Sequence, residues 1–229
     1  MAGGRSYADP CGVARGLDLV GERWALLIVR ELLFGPRRFT DLRAGLPGAS
    51  PNVLSQRLDD LESAGIVHRR RLAAPAASWV YDLTVWGREL EDVLIAMGRW
   101  GSQSPLVPAA ELSARALMLA LKTTFAPATA GSLRARFELR LGEDRFSAAI
   151  EDGRIELSAG GAQQPDAVIE ASAPVLRDLV FGGRPADETL RSGDLLITGD
   201  HQAARRFLGL FPRPQPVSPA AAANPVGTA

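Results

Sequence analysis

Asn52, Ser55, Gln56 and Arg57 stand within six residues of one another, and each donates hydrogen bonds. Amides, hydroxyls and guanidinium groups at this spacing suit the edges of base pairs. An amide pairs with adenine and a guanidinium forks onto guanine. Arg37, Arg38, Thr40 and Ser50 precede them, and Arg69, Arg71 and Ser78 follow. Arginine and hydroxyl side chains of this kind hold phosphates. Between Pro36 and Arg71 there are seven arginines (Arg37, Arg38, Arg43, Arg57, Arg69, Arg70, Arg71) against four acids (Asp41, Asp59, Asp60, Glu62), a local excess of three positive charges. The formal net charge of the 229-residue chain is zero, but a nucleic-acid surface needs only a local basic patch. Read alone, Arg69 to Arg71 is equally a solvated run on a strand edge.

The elements around these residues are legible from periodicity. Gly12 to Val20 has Val13, Leu17 and Val20 at helical spacing. Glu22 to Phe34 is apolar nearly all round, which predicts a buried central helix, and Gly35-Pro36 stops it. Thr40 is expected to cap a short helix over Asp41–Leu46, which Gly48 ends. Ser50 then serves as N-cap with Pro51 at the first helical position. Leu54, Leu58 and Leu61 form the inward stripe of that helix, and Gly65 closes it. Two short helices joined by a glycine-containing turn are a helix-turn-helix. Ile66–Arg71 and Trp79–Leu83 read as a hairpin around a loop containing Pro75. Thr84 caps a last helix with Leu90, Val93, Leu94, Met97 and Trp100 on one face. Four helices, two strands and a helix make a winged helix.

This half resembles the HxlR-type winged-helix regulators over about residues 9–102. The resemblance is carried by Cys11, by Leu19 to Trp24 (L-V-G-E-R-W), and by Arg30 to Leu42 (R-E-L-L-F-G-P-R-R-F-T-D-L). It continues through Leu54 to Val67 (L-S-Q-R-L-D-D-L-E-S-A-G-I-V), Tyr81 to Thr84, Gly87 and Trp100-Gly101. It implies a transcription regulator that binds double-stranded DNA. It further implies a homodimer built from the first and last helices of the domain, reading a roughly palindromic operator with recognition helices about one DNA turn apart. Some members of the family sense oxidants through a cysteine near Cys11. A sensor thiol usually needs a resolving partner. Cys11 is the only cysteine, so a bridge would have to join two subunits; the other reading is a small buried packing residue.

A second domain is expected beyond a Gly, Ser and Pro-rich stretch, Gly101 to Ala110, giving boundaries at 1–104 and 105–211. Residues 212–229 hold five prolines and a run of four alanines, and are expected to be a disordered tail. Leu112–Lys122 is an apolar helix. In Leu133 to Leu141 the apolar and polar residues alternate, which predicts a half-buried strand. Strands over Phe146–Glu151 and Arg154–Leu157 flank the hairpin signal Asp152-Gly153. Asp166–Ala171 and Leu195–Thr198 are further strands; Ala173–Phe181, Asp187–Arg191 and His201–Phe211 are helices. The fold class is α+β: an N-terminal winged helix-turn-helix domain followed by an α+β domain with a mostly antiparallel sheet.

This second half resembles the sterol carrier protein family over about residues 112–211. Phe137-Glu138-Leu139, Glu151-Asp152-Gly153, Pro165 to Ile169, Leu179 with Gly182-Gly183 and Pro185, Gly193-Asp194-Leu195 and Ile197 to Asp200 carry it. In that family a sheet covered by helices encloses an apolar tunnel. The resemblance implies a pocket for a small hydrophobic ligand lined by Leu117, Leu121, Phe125, Leu176, Leu179, Val180, Phe207 and Phe211. The same side chains could equally fill a solid core.

Other chemistries find no support in the sequence. His68 and His201 are the only histidines and no cysteine pair accompanies either, so no metal site is expected. No nucleophile elbow or phosphate-binding glycine loop occurs. Asp194 and Asp200 are not a catalytic pair, since Asp200 reads as the N-cap of the last helix. No cofactor is expected and the protein is not expected to be an enzyme. No apolar run approaches the ~18 residues of a membrane span, and Met1 to Pro10 carries no signal-peptide core, so a cytoplasmic location without membrane contact is expected. Three readings remain open: a ligand-responsive regulator, a regulator whose rear domain dimerises or recruits a partner, and a lipid carrier that keeps the winged helix for assembly.

Overall fold

A computed structural model describes residues 6–73, 77–105 and 111–217. The wing-loop residue Pro75, part of the Gly101–Ala110 stretch and the tail beyond Val217 lie outside these described residues. The chain divides into two compact units, Met1–Leu94 and Ile95–Ala229.

The first unit opens with α1 (Gly12–Val20) and α2 (Ala25–Leu32). The apolar run from Glu22 therefore yields a shorter helix than its composition suggests. Trp24 adopts φ +80° and breaks the helical path before Ala25. Ile28, Val29 and Leu32 are fully buried, while Leu27 reaches the surface. Next come α3 (Phe39–Gly45) and α4 (Pro51–Ser63). The expected Thr40 cap is replaced by a residue earlier in the chain: Arg38 is the N-cap, its N–H donates to Asp41 Oδ2 at 3.3 Å, and Thr40 lies inside the helix. Ser50 caps α4 as expected, with its Oγ accepting from the Val53 N–H at 3.4 Å. Gly65 follows at φ +70°, a conformation that costs a glycine nothing.

The strands β1 (Val67–Arg71) and β2 (Trp79–Leu83) pair antiparallel. Thr84 caps α5 (Val85–Arg88), a single turn, and α6 (Leu90–Gly101) follows separately. The residues expected along one face of this last helix differ in burial. Leu94 is buried, whereas Val93, Met97 and Trp100 are exposed. The carboxylate of Asp82, itself buried, fastens the hairpin to α5. Its Oδ2 accepts from Arg70 at 2.9 Å, and its Oδ1 from Arg88 and from the Leu83 N–H, each at 2.9 Å.

The second unit contains α7 (Ala114–Thr124), α8 (Pro127–Ala130), β3 (Ala135–Leu141), β4 (Asp144–Glu151), β5 (Arg154–Ala159), β6 (Ala167–Ala171), α9 (Ala173–Val180), α10 (Ala186–Ser192), β7 (Leu195–Gly199) and α11 (His201–Leu208). The strands form one sheet in the order β5-β4-β3-β6-β7. Only the central β3–β6 pair is parallel; the other three ladders are antiparallel. Alternation in β3 is realised as buried Phe137, Leu139 and Leu141 with polar residues between them. The helices cover the Phe137 face: the ring of Phe207 on α11 lies 4.7 Å from that of Phe137. Asp200 caps α11 through the N–H groups of Gln202 and Ala203, both at 2.9 Å. Within this unit the end of α6 is held by Arg99, whose Nε donates to the Thr123 carbonyl at 3.2 Å. Part of the expected disordered tail has a place here, since the Val217 N–H donates to the Gln103 carbonyl at 2.8 Å.

Two expectations about stability follow. Phe207→Ala empties a fully buried site and should cost about 3–5 kcal/mol. Gly199→Ala is expected to destabilise by about 1–3 kcal/mol, because Gly199 sits at φ +86° and an added Cβ would lie 2.3 Å from the Asp166 carbonyl oxygen. Denaturant titration of each variant checks both; unchanged midpoints would mean the packing described is incorrect.

Candidate nucleic-acid interface

The geometry of α4 follows from its leucines. Leu54, Leu58 and Leu61 are buried, so the opposite face is turned outward. Asn52, Ser55 and Gln56 are exposed on that face, together with the Ser50 cap. Arg57 is placed differently from its neighbours. Its side chain is 22% exposed and its Nη1 lies 3.1 Å from Asp60 Oδ2 and 3.6 Å from Glu22 Oε2. The other oxygen of Asp60, Oδ1, accepts from Gln56 Nε2 at 2.9 Å. Asp60 thus serves two of the groups that the sequence assigned to base contact. It was not singled out in the sequence, although its spacing from Gln56 (i, i+4) and Arg57 (i, i+3) carries the signal for contact on a helix surface.

The hairpin is joined to both helices of the motif. Arg37 and Tyr81 exchange backbone hydrogen bonds of 2.9 and 2.8 Å, which extends the hairpin by one bridge. Arg38 Nε donates to Ser78 Oγ at 3.0 Å, linking the start of α3 to the wing. Glu62 Oε1 accepts the Arg69 N–H at 3.1 Å, linking the last turn of α4 to β1. The Arg69 guanidinium lies 4.9 Å from the centroid of Trp79 and 5.9 Å from that of Tyr81. Stacking of this kind is worth about 0.5–1 kcal/mol at an exposed site, enough to bias the arginine toward one position while leaving its charge available. Burial pushes the Tyr81 phenol above its usual range, and the positive charge of Arg69 opposes that shift. Arg71 is exposed, with Nε 3.5 Å from the Ala77 carbonyl. Arg70 is taken up by Asp82. Arg69 and Arg71 thus remain the outward arginines of β1. Trp79, half exposed beside Arg69, is a wing residue that the sequence reading passed over.

In the second unit, the eight apolar residues expected around a pocket differ in burial. Leu117, Leu121, Leu176, Leu179, Phe207 and Phe211 are buried; Phe125 and Val180 are half-buried. Phe211 sits 5.1 Å from Phe207 and 6.2 Å from Phe125, ring centre to ring centre. Two concavities occur elsewhere in this unit. One of about 270 Å³ is bounded by Arg136, Ser147, Ala149, Gly161 and Gln163, and one of about 440 Å³ by Arg99, Gln103, Thr123, Thr124 and Arg213. Neither is lined by any of the eight. No group of His, Cys, Asp and Glu able to hold a metal occurs among the described residues, and no helix there is long and apolar enough to cross a membrane.

Cys11 departs from the expected buried packing position. It is exposed at the N-cap of α1. The backbone N–H groups of Val13 and Ala14 favour its thiolate and hold the thiol below its ordinary range. Alkylation of the native protein by iodoacetamide across a pH series should therefore show a midpoint below that of the urea-unfolded chain. Coincident midpoints would show that the helix start has no effect on the thiol.

Both halves of the chain match known families. The HxlR-like helix-turn-helix family matches residues 19–106, and the SCP-2 sterol transfer family matches residues 119–212. An uncharacterised HTH-type transcriptional regulator of Synechocystis, sll1512, is 40% identical over 105 residues, covering 43% of this chain and 78% of that protein. The uncharacterised HTH-type regulator YvaP of Bacillus subtilis is 36% identical over 89 residues, covering 39% of this chain and 82% of its own. Among solved structures, the reduced form of the transcriptional regulator YodB from B. subtilis is 34% identical, with a TM-score of 0.37 over 41% of this chain and 92% of that one. With a helix-turn-helix of the matching sequence in its first unit and a helix-covered sheet in its second, the chain belongs to the HxlR-like helix-turn-helix transcriptional regulators and carries an SCP-2 sterol transfer domain behind the winged helix.

Proposed function

We propose that the protein acts as a homodimer on a roughly palindromic operator, reading bases with α4 and holding phosphates with the wing, and that a small hydrophobic ligand in the second domain controls it. The observation that carries this reading is the outward face of α4, where Asn52, Ser55 and Gln56 are exposed opposite a buried leucine stripe. A helix of this kind enters the major groove with its N-terminal half against base edges. Ser50, Thr40, Arg37, Arg38, Arg69, Arg71 and Ser78 supply the backbone contacts, and phosphate neutralisation supplies most of the sequence-independent affinity. Arg57 joins them through its remaining guanidinium N–H groups while Nη1 stays on Asp60.

Two exposed apolar faces support the dimer. Val13 and Leu17 stand exposed on α1, and Val93, Met97 and Trp100 on α6, with Trp100 79% accessible. Apolar side chains in rows of this kind mark surfaces that another protein covers. Ligand control rests on the apolar layer around Phe125, Phe207 and Phe211. A ligand acts on DNA binding only if it prefers one of two dimer arrangements. No part of this function calls for enzymatic chemistry or a cofactor.

Fluorescence anisotropy on DNA from the intergenic region upstream of the protein's own gene, against a scrambled duplex, tests the reading. Tight binding to the first duplex that weakens with salt is expected. Arg71→Ala should weaken binding uniformly and lower the salt slope by about 1. Val13→Asp with Leu17→Asp should give a monomer by analytical ultracentrifugation and lose operator affinity by about a hundredfold, as a bivalent contact becomes a single one. Equal affinity for both duplexes, or a wild-type monomer, overturns the corresponding part. A fatty acid that raises the melting temperature yet leaves operator affinity unchanged would remove ligand control alone.

A further inference from the structure

We infer that Asp60 is a positioning residue that presets the edge Gln56 offers to DNA, so that the protein prefers adenine, and after it cytosine, at one step of each half-site. The inference deepens the DNA-reading proposal above and rests on it. A carboxylate only accepts hydrogen bonds. The contact of 2.9 Å between Gln56 and Asp60 Oδ1 is therefore made by the amide nitrogen, and the usual ambiguity between the two ends of the amide is removed. The carbonyl oxygen and one N–H of Gln56 are left for a partner.

Asp60 is engaged on both of its oxygens. Its second oxygen holds Arg57 at 3.1 Å, and Arg57 is also within 3.6 Å of Glu22, so the carboxylate is clamped between one amide and one guanidinium. Leu58 and Leu61, both buried on the same helix, fix the backbone that carries it. Gln56 thus presents an acceptor with a donor beside it. In the major groove adenine offers the matching amino group and N7, and cytosine offers an amino group alone. Guanine and thymine offer acceptors at the corresponding edge and meet the Gln56 oxygen unfavourably. A free glutamine would turn its amide over to suit either class.

Selection from a randomised duplex pool followed by sequencing, with the full-length wild type, Gln56→Ala and Asp60→Asn, tests this. In the wild type, adenine should exceed guanine at one step per half-site by on the order of tenfold. Gln56→Ala should flatten that step only. In Asp60→Asn the new amide can keep its oxygen on Arg57 and turn its nitrogen to Gln56, which reverses Gln56. The preference at that step should shift toward guanine and thymine, with the other steps unchanged. Melting curves check that both variants fold; Gln56 is exposed, so its variant keeps the test valid should Asp60→Asn prove unstable. If Asp60→Asn lowers affinity at all steps equally, or keeps the wild-type preference, the positioning role is wrong while DNA reading stands. The positioning role is equally wrong if Gln56→Ala leaves every step unchanged. If the wild type selects no sequence at all, the DNA-reading proposal fails and this one with it.

Discussion

Burial of Leu54, Leu58 and Leu61 sets the rotation of α4 about its axis, and the rest of the first unit is arranged around that rotation. Each fully buried leucine is worth about 1.5–3 kcal/mol, so the three together outweigh the Ser50 cap, at about 1 kcal/mol, several times over. The cap decides where the helix starts; the leucines decide which way it faces. A turn of one residue would expose the stripe and swing Asn52 and Gln56 toward the core. The outward position of the polar residues is thus a consequence of apolar packing, not of any attraction among the polar residues themselves.

Once that face is fixed, the problem becomes electrostatic. The second half of α4 carries Asp59, Asp60 and Glu62, which a phosphate backbone would repel. Two of the three are occupied inside the unit. Asp60 is paired with Arg57, and Glu62 accepts the Arg69 N–H. The buried Asp82 is shared between Arg70 and Arg88. Two acids of α4 are thus paired or bonded, while Arg38, Arg69 and Arg71 keep outward positions. A chain with zero net charge can still present a positive face where a carboxylate such as Asp60 is paired and the outward arginines are held by a serine, by aromatic rings and by a backbone carbonyl.

Much of this was legible in the sequence, for identifiable reasons. Helix starts at Ser50, Thr84 and Asp200 carry side-chain caps, and strong period-two alternation in β3 left one assignment open. The Asp152-Gly153 hairpin follows from two adjacent residues with positive φ. The misses are places where a tertiary contact overrides a local rule. Trp24 takes φ +80°, and its ring lies so near Gly48 that a Cβ there would sit 2.8 Å away, so helix propensity from Glu22 onward is overruled. Val93, Met97 and Trp100 share helical spacing with the buried Leu94 but not its surroundings, and periodicity alone cannot say which side of a helix has a neighbour. Residue type singled out Gln56 and Arg57 as expected base contacts, but that each takes a different oxygen of Asp60 depends on side-chain geometry that type alone does not carry.

The second unit poses the opposite question, since most of its apolar layer is buried. Phe207 touches Phe137 on the sheet and Phe211 on the chain beyond α11, and Leu117, Leu121 and Leu176 are fully buried in the same unit. A hydrophobic molecule inserting into this layer must part contacts that are already made, so burial of its own surface is offset by loss of packing among the rings. The net gain comes from side chains that are not fully enclosed. Phe125 and Val180, both half-buried, are the members of the set with surface still to lose. A ligand that covers Phe125 while leaving the Phe137–Phe207 contact intact would gain burial at the smallest cost. For the proposed ligand, insertion at the Phe125 edge would disturb the packing of the sheet least.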